Sequence, residues 1–314
     1  MKLTDLVACY LTYKKSVGMR FRSEAGILNS FCRTLGDIHV AEAKPAAVSA
    51  FLAGTGPVTA FWQQKFRVLT GLYRFAITRG YADSSPLPTT MPRIPPPLTP
   101  YIYTQDDLRR FLAATDALAS PLSPLRAATF HTLVLILYGT GIRISEALSL
   151  TLGDVNFPEN LLTVRDTKFF KSRFVPIGAR LAAELSAYAD RRCRLPLPEG
   201  TESAFFATRT GHALSYDETN RLFQKVRRVA GVRRERGARY QPRLHDVRHT
   251  FAVHRLTAWY REGADVQRLL PALATYLGHV DVAATQRYLH ITADLLQEAN
   301  RRFEQYATEE VHHV

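Results

Sequence analysis

The chain has 314 residues, 46% of them hydrophobic, enough for two folded domains with ordinary cores. Its formal net charge is +13, and its three cysteines, Cys9, Cys32 and Cys193, form neither a CxxC pair nor a cysteine–histidine spacing suited to zinc. These features argue against a disulfide scaffold or a metal-built site, and no run of about 18 apolar residues offers a membrane span. The opening residues MKLTDLVACY lack the apolar core of a signal peptide, so the expected location is the cytoplasm, with no membrane partner. Residues 1–100 carry 12 basic and 5 acidic side chains, and the remainder carry 29 and 23. The positive excess is shared along the chain, as suits a polyanion held between two basic bodies.

Apolar residues at helical spacing predict helices over 3–17, 23–35 and 45–53. A fourth is expected over 57–79, opening at Pro57 and stopping at Gly80. In it, Phe61, Leu69, Leu72 and Phe75 are expected to face the core. Lys65, Arg67, Arg74 and Arg79 are expected outside, available to phosphates. Five of the ten residues from Met91 to Pro100 are proline, which predicts a stiff, extended connector. Beyond it, Thr104 caps a helix, with Asp107 at the acid position of a capping box. An apolar helix follows near 125–138, and Gly139-Thr140-Gly141 turns into another. Three short strands are expected over 154–157, 161–166 and 173–177, then helix from Gly178 to the end. The arginine-dense stretch 226–243 reads as an exposed loop that suits a nucleic-acid backbone. The fold class is mainly α with a small antiparallel β-sheet.

Breaking a phosphodiester without a metal needs a nucleophile, cations on the nonbridging oxygens and an acid for the leaving oxygen. Arginine forks bind phosphate oxygens bidentately and stay charged, and lysine or histidine can deliver the proton. Arg143 follows a Gly-rich turn at the start of a helix, and Glu146 is placed to orient a neighbouring basic group. His245 and Arg248 share a helix face at i, i+3; His249 and His254 in the same helix read as structural or surface residues. His279 follows Gly278, and Tyr288 lies nine residues later. A tyrosine with its ordinary pKa near 10 needs activation to act as a nucleophile. Each block alone is weak evidence.

In order, the segments GTGIRISEALSLTLGDV, TKFFKSRFVPI, HDVRHTFAVHRL and LGHVDVAATQRYLHI closely resemble the tyrosine recombinase (phage integrase) family, over roughly residues 101–295. The resemblance implies a helical core-binding domain over 1–90, a linker over 91–100 and a catalytic domain over 101–294, the two domains clamping double-stranded DNA. It implies that Arg143 and Arg248 clamp the scissile phosphate. His245 contacts that phosphate and helps manage the tyrosine proton, His279 donates to it, and Tyr288 is the nucleophile. The family's lysine, which protonates the leaving 5′ oxygen, aligns with Lys168. The usual flanking glycines are absent from Thr167-Lys168-Phe169-Phe170-Lys171, so Lys171 is a rival. Lys171 and Arg173 join Lys65, Arg67, Arg74 and Arg79 as expected DNA contacts.

The implied reaction is site-specific DNA recombination through a 3′-phosphotyrosine, for integration or transposition, with no cofactor and four protomers on DNA. The wording FWQQKFRVLTGLYRFAITRGY and RDTKFFKSR resembles recombinases of mobile elements that carry several recombinase genes, which implies paralogous partners. The rival readings are a catalytically silent DNA-binding accessory or repressor and a type IB topoisomerase-like enzyme. A carboxylate–metal transposase lacks a convincing acidic triad. In the tail over 295–314, Leu295, Leu296, Ala299, Phe303 and Tyr306 form an apolar helical face, to dock on a neighbouring protomer or on its own domain.

Overall fold

The computed structural model describes residues 1–19, 21–96, 98–165, 172–235, 238, 240–279, 281–290 and 295–301. The described residues form two units, the first over Met1–Leu98 and the second from Thr99 onward. Among them, no helix is long and apolar enough to cross a membrane.

The first unit packs four helices, α1 (Leu3–Ser16), α2 (Arg22–Leu35), α3 (Pro45–Ala53) and α4 (Ala60–Thr78). Leu6, Leu28, Phe31, Val48, Leu52, Leu69 and Leu72 are buried together in its core. The fourth helix starts later than expected, because the Thr59 hydroxyl, rather than Pro57, caps it by accepting from the Phe61 amide. Its buried stripe runs through Trp62, Leu69 and Ala76. Phe61 lies one residue off that stripe and is 51% exposed, not a core residue. Lys65 also turns inward. Its ammonium donates to the carbonyls of Phe51 at 2.6 Å and Leu52 at 3.4 Å, near the end of α3, and burial lowers its pKa. Arg67, Arg74 and Arg79 are exposed.

The second unit begins with α5 (Gln105–Ala113), where Thr104 and Asp107 form the expected reciprocal capping box at 3.0 Å each way. The apolar helix α6 (Arg126–Thr140) buries Phe130, Leu133, Ile136 and Leu137. Next come α7 (Ile144–Leu148), β1 (Val155–Asn156), β2 (Leu161–Val164) and β3 (Arg173–Pro176). The sheet is antiparallel in the order β1-β2-β3, with Leu162 opposite both Val155 and Val175. The expected turn between β2 and β3, with Lys168 and Lys171, falls outside the described residues. Then follow α8 (Ala179–Cys193), α9 (Tyr216–Val229), α10 (Asp246–Arg261), α11 (Val266–Leu277) and α12 (Ala283–Gln286).

Continuous helix after Gly178 is not what forms. Residues 194–215 hold turns and single-residue bridges, because Pro196, Pro198 and Gly200 interrupt the helical pattern. The fully buried Arg192 fastens this segment by donating to the carbonyls of Ala204 at 3.1 Å and Pro198 at 2.7 Å. In the arginine-dense stretch, Arg227, Arg234 and Arg243 bond within the unit, to Val232, Thr99 and Asp246. At the tail, Leu295 is buried against α10 and α11 residues and Glu298 pairs with Arg261, so this part docks on its own unit. Leu296 is exposed, and Phe303 and Tyr306 lie outside the described residues.

Glu146 ties α7 to the sheet. Its Oε1 accepts from Arg143 Nη1 at 2.7 Å and Arg173 Nη1 at 3.1 Å, and its Oε2 accepts from Arg173 Nη2 at 2.8 Å and the Arg143 amide at 2.9 Å. Burial pushes its pKa up, but the hydrogen bonds and charge of Arg173, followed by Arg143, outweigh burial and hold it at about 2. Arg173, expected to meet DNA, has a side chain only 13% exposed and engaged by this carboxylate.

Since the Glu146 pKa falls from 4.5 to about 2 on folding, its stabilisation is complete above pH 4.5 and fades as the pH drops toward 2. The linkage amounts to about 3 kcal/mol. We expect Glu146→Gln to lower the unfolding free energy at pH 7 by about 3–5 kcal/mol in urea titrations. The gap to wild type should narrow between pH 4.5 and 2; a gap constant across that window would place the loss elsewhere than in the carboxylate's charge.

Candidate active site

The site is built around the end of α11. The last carbonyls of a helix lack partners within it and carry the negative end of its dipole. Here Arg173 Nε donates to the Tyr276 carbonyl at 3.1 Å, Arg248 Nη2 to Leu277 at 2.8 Å and Arg143 Nη2 to Gly278 at 2.8 Å. The helix ends because Gly278 takes a left-handed conformation, φ 70°. A Cβ there would lie 2.7 Å from the Arg173 guanidinium, so glycine also permits the close approach.

Arg248 is 3% exposed and donates its Nη1 to the Gly141 carbonyl at 2.6 Å. Gly141 has φ 63°, and a Cβ on it would sit 2.3 Å from the Phe251 ring, so the Gly-rich turn packs directly on α10. Burial, then the neighbouring Arg143 charge, lowers the Arg248 pKa to about 10, which leaves it cationic at neutral pH. Arg143 is the N-cap of α7, its side chain 36% exposed between Glu146 and Gly278.

Tyr288 lies in a short 3-10 turn after α12 and is 4% exposed. Its ring stacks beside His279, with centroids 6.1 Å apart and planes at 24°. The Tyr288 hydroxyl lies 3.2 Å from His249 Nδ1. Burial raises its pKa, opposed first by Arg248 and then by Arg287 and Arg143. His279 Nδ1 pairs with the Thr285 hydroxyl at 2.6 Å. Burial, with Arg248, Arg143 and Arg287, lowers the His279 pKa to about 4.

His245 precedes α10 and keeps exposed surface. Desolvation by surrounding protein, then the charges of Arg248 and Arg243, lower its pKa. Its ring meets that of His249 edge-on, with centroids 4.8 Å apart.

The structure thus brings Arg143, Arg248, His279 and Tyr288 together, with His245 adjoining through His249. It adds Arg173 as an internal clamp on Glu146, Thr285 as the partner of His279, and His249 as the partner of Tyr288. The i, i+4 spacing of His245 and His249 was the available signal for the last. His254 bonds the Tyr138 hydroxyl at 3.0 Å. No cluster of three or more His, Cys, Asp or Glu able to hold a metal occurs among the described residues. In the first unit, Arg67, Arg74 and Arg79 line a groove along α4 with Lys14, Tyr13 and Phe75. The Lys14 ammonium lies 5.5 Å from the Tyr13 ring centre and the Arg79 guanidinium 5.2 Å from that of Phe75.

Residues 102–294 match the model of the phage integrase family. The chain is 39% identical over 237 residues to the putative integrase/recombinase y4rB of Sinorhizobium fredii, covering 73% of this chain and 74% of that protein. It is 34% identical to y4rE of the same organism, over 96% of this chain and 95% of the relative. Identity to tyrosine recombinase XerC of Oceanobacillus iheyensis is 30%, over 89% and 87%. The Tn1549 transposon integrase, solved in complex with transposon right end DNA, shares the fold at a TM-score of 0.69 and 17% identity, covering 98% of this chain and all of that one (100%). XerH recombinase, bound to a palindromic difH substrate, shares it at 0.64 and 18%, covering 96% of each. With the family model spanning the whole arginine-rich site and a full-length relative above 30% identity, this chain belongs to the phage integrase family of tyrosine recombinases.

Proposed function

We propose that this enzyme cuts and rejoins DNA at specific sites through a 3′-phosphotyrosine at Tyr288, in the service of DNA integration or transposition. The observation that carries this reading is the convergence of Arg143 and Arg248 on the end of α11, with the Tyr288 ring stacked beside His279. Arg143 and Arg248 hold the nonbridging oxygens of the scissile phosphate, where charge grows in the transition state. With Nδ1 of His279 engaged by Thr285, its Nε2 is the nitrogen available to a phosphate oxygen. His245 supports the same phosphate from the start of α10. Lys168, in the segment between β2 and β3, protonates the leaving 5′ oxygen, and Lys171 of the same segment contacts the DNA.

Tyr288 Oη bonds phosphorus as the P–O5′ bond breaks. The 5′ hydroxyl of a partner strand then bonds the same phosphorus and releases the tyrosine. Each step exchanges one phosphoester for another, so no nucleotide hydrolysis is needed. The exposed Arg67, Arg74 and Arg79 of the first unit track the DNA backbone. Strand exchange takes place in a tetramer. This is supported by the fold shared with a lambda integrase tetramer bound to a Holliday junction, at a TM-score of 0.64. Two recombinase relatives in a single organism support assembly with paralogues as well as with copies of the chain.

The direct test expresses the chain in cells, lyses them in SDS and sequences DNA that remains attached to it. Wild type should retain DNA ends at discrete sites and Tyr288→Phe none, while both shift those sites in native gels. Attached DNA from Tyr288→Phe would remove Tyr288 as the nucleophile. Equal binding without attachment in either protein would favour a binding-only role. On the recovered sites, Arg248→Lys should slow attachment by about 10²–10³-fold, because the bidentate fork is lost. Arg67→Gln and Arg74→Gln should each reduce the log affinity–log salt slope by about 0.9, and Lys65→Gln should leave it unchanged. A slope altered by Lys65→Gln alone would overturn the assignment of α4.

A further inference from the structure

The hydrogen bond between Tyr288 and His249 has no role in the scheme above. A phenol that attacks phosphorus must shed its proton to a base within hydrogen-bond reach. Among the described residues, the base bonded to the Tyr288 hydroxyl is His249 Nδ1, at 3.2 Å. His279 lies with its ring plane close to parallel to that of Tyr288 and its Nδ1 on Thr285. His245 meets the ring of His249 edge-on. Arginine side chains offer no acceptor.

We propose that His249 Nδ1 takes the Tyr288 proton during strand cleavage and returns it during joining, and that seating of the scissile phosphate switches this base on. The inference rests on Tyr288 as the nucleophile.

The switch follows from the charges around the pair. From α10 and the residues before it, His249 meets Arg248, Asp246, His245 and Arg243; Arg143 and Arg287 flank Tyr288. Without an anion, burial, then His245, Arg243 and Arg248, hold the His249 pKa at about 4 against the pull of Asp246. Burial holds the tyrosine above its ordinary value. The proton therefore stays on the phenol. A phosphodiester between Arg143 and Arg248 adds one negative charge, relieves the cationic field on His249 and lets it accept. In cleavage the Tyr288 O–H bond breaks, P–Oη forms and P–O5′ breaks. The 5′ oxygen takes a proton from the general acid, and His249 becomes imidazolium. In joining, the partner 5′ hydroxyl gives its proton to that acid, P–Oη breaks and His249 reprotonates Oη.

The test uses full-length protein and nicked suicide duplexes built on the sites recovered by covalent capture. His249→Gln should slow covalent attachment by about 10²-fold or more while native-gel affinity and thermal unfolding stay near wild type. His249→Asn, whose amide sits near the place of Nδ1, is the second variant if glutamine disturbs the packing. A fluorinated tyrosine that is ionised at neutral pH is then incorporated at position 288. A phenol already ionised needs no base, so it should restore attachment in His249→Gln to within about tenfold of its rate beside His249. Wild-type rates in both His249 variants would overturn the proposal. So would a slow variant that the acidic phenol fails to rescue, since that is the behaviour of a packing residue. Attachment by Tyr288→Phe would instead defeat the nucleophile assignment, whatever the His249 variants do.

Discussion

The final carbonyls of α11 accept hydrogen bonds from Arg143, Arg173 and Arg248, and the rest of the site hangs on those three contacts. Burial first, and then repulsion from Arg143, lowers the Arg248 pKa, so guanidiniums this close need compensating partners. The helix end supplies unpaired carbonyls and the negative pole of a dipole, and Glu146 supplies a full negative charge between two of the three cations. The three arginines arrive on different elements: the turn before α7, the strand β3, and α10. Each bond to α11 therefore also fixes one of those elements, so assembling the charge cluster and closing this part of the fold are a single event.

Two opposed causes set protonation in the site: burial favours the neutral histidines and the neutral Tyr288, and the arginines favour the ionised Glu146. The histidines are held neutral, Tyr288 is held protonated, and Glu146 is held ionised. Burial alone would raise the Glu146 pKa; the hydrogen bonds and charge of Arg173, then those of Arg143, bring it down. The arginines oppose the burial shift of Tyr288 and keep Glu146 ionised, so the positive potential beside them suits an anion. The cations are oriented during folding by the carbonyls and the carboxylate they bond, so little reorganisation remains for an anion to meet. Tyr288 is nearly fully buried, which encloses its hydroxyl in protein beside His249.

Much of this was legible in the sequence, and the exceptions have physical causes. The capping box at Thr104, the three strands and the apolar α6 follow from local spacing, which depends on nearest neighbours along the chain. The motif blocks around Arg143, Arg248 and Tyr288 were readable from their wording. The inward turn of Lys65 was not, because the carbonyls it meets belong to α3, and sequence spacing does not reveal which helix end lies within reach. Arg173 failed in the same way. On an isolated hairpin it is a surface cation, and only the long-range approach of Glu146 and α11 makes it an internal clamp. His249 stood in the sequence as the i, i+4 neighbour of His245, but a histidine gains meaning from what faces it, and Tyr288 is 39 residues away.

The contrast between the two sets of arginines follows from exposure. Arg67, Arg74 and Arg79 lie on an open helix face, where their charges are screened by salt and their side chains keep rotamer freedom. Such groups suit the sequence-independent, adjustable contacts of a long polyanion. Arg143 and Arg248 have their forks fixed by backbone carbonyls, so geometry is gained at the expense of reach. Arg173 extends that rigidity to β3. Glu146 accepts from both Arg143 and Arg173, so the positions of β3 and of the arginine that caps α7 are set by the same carboxylate.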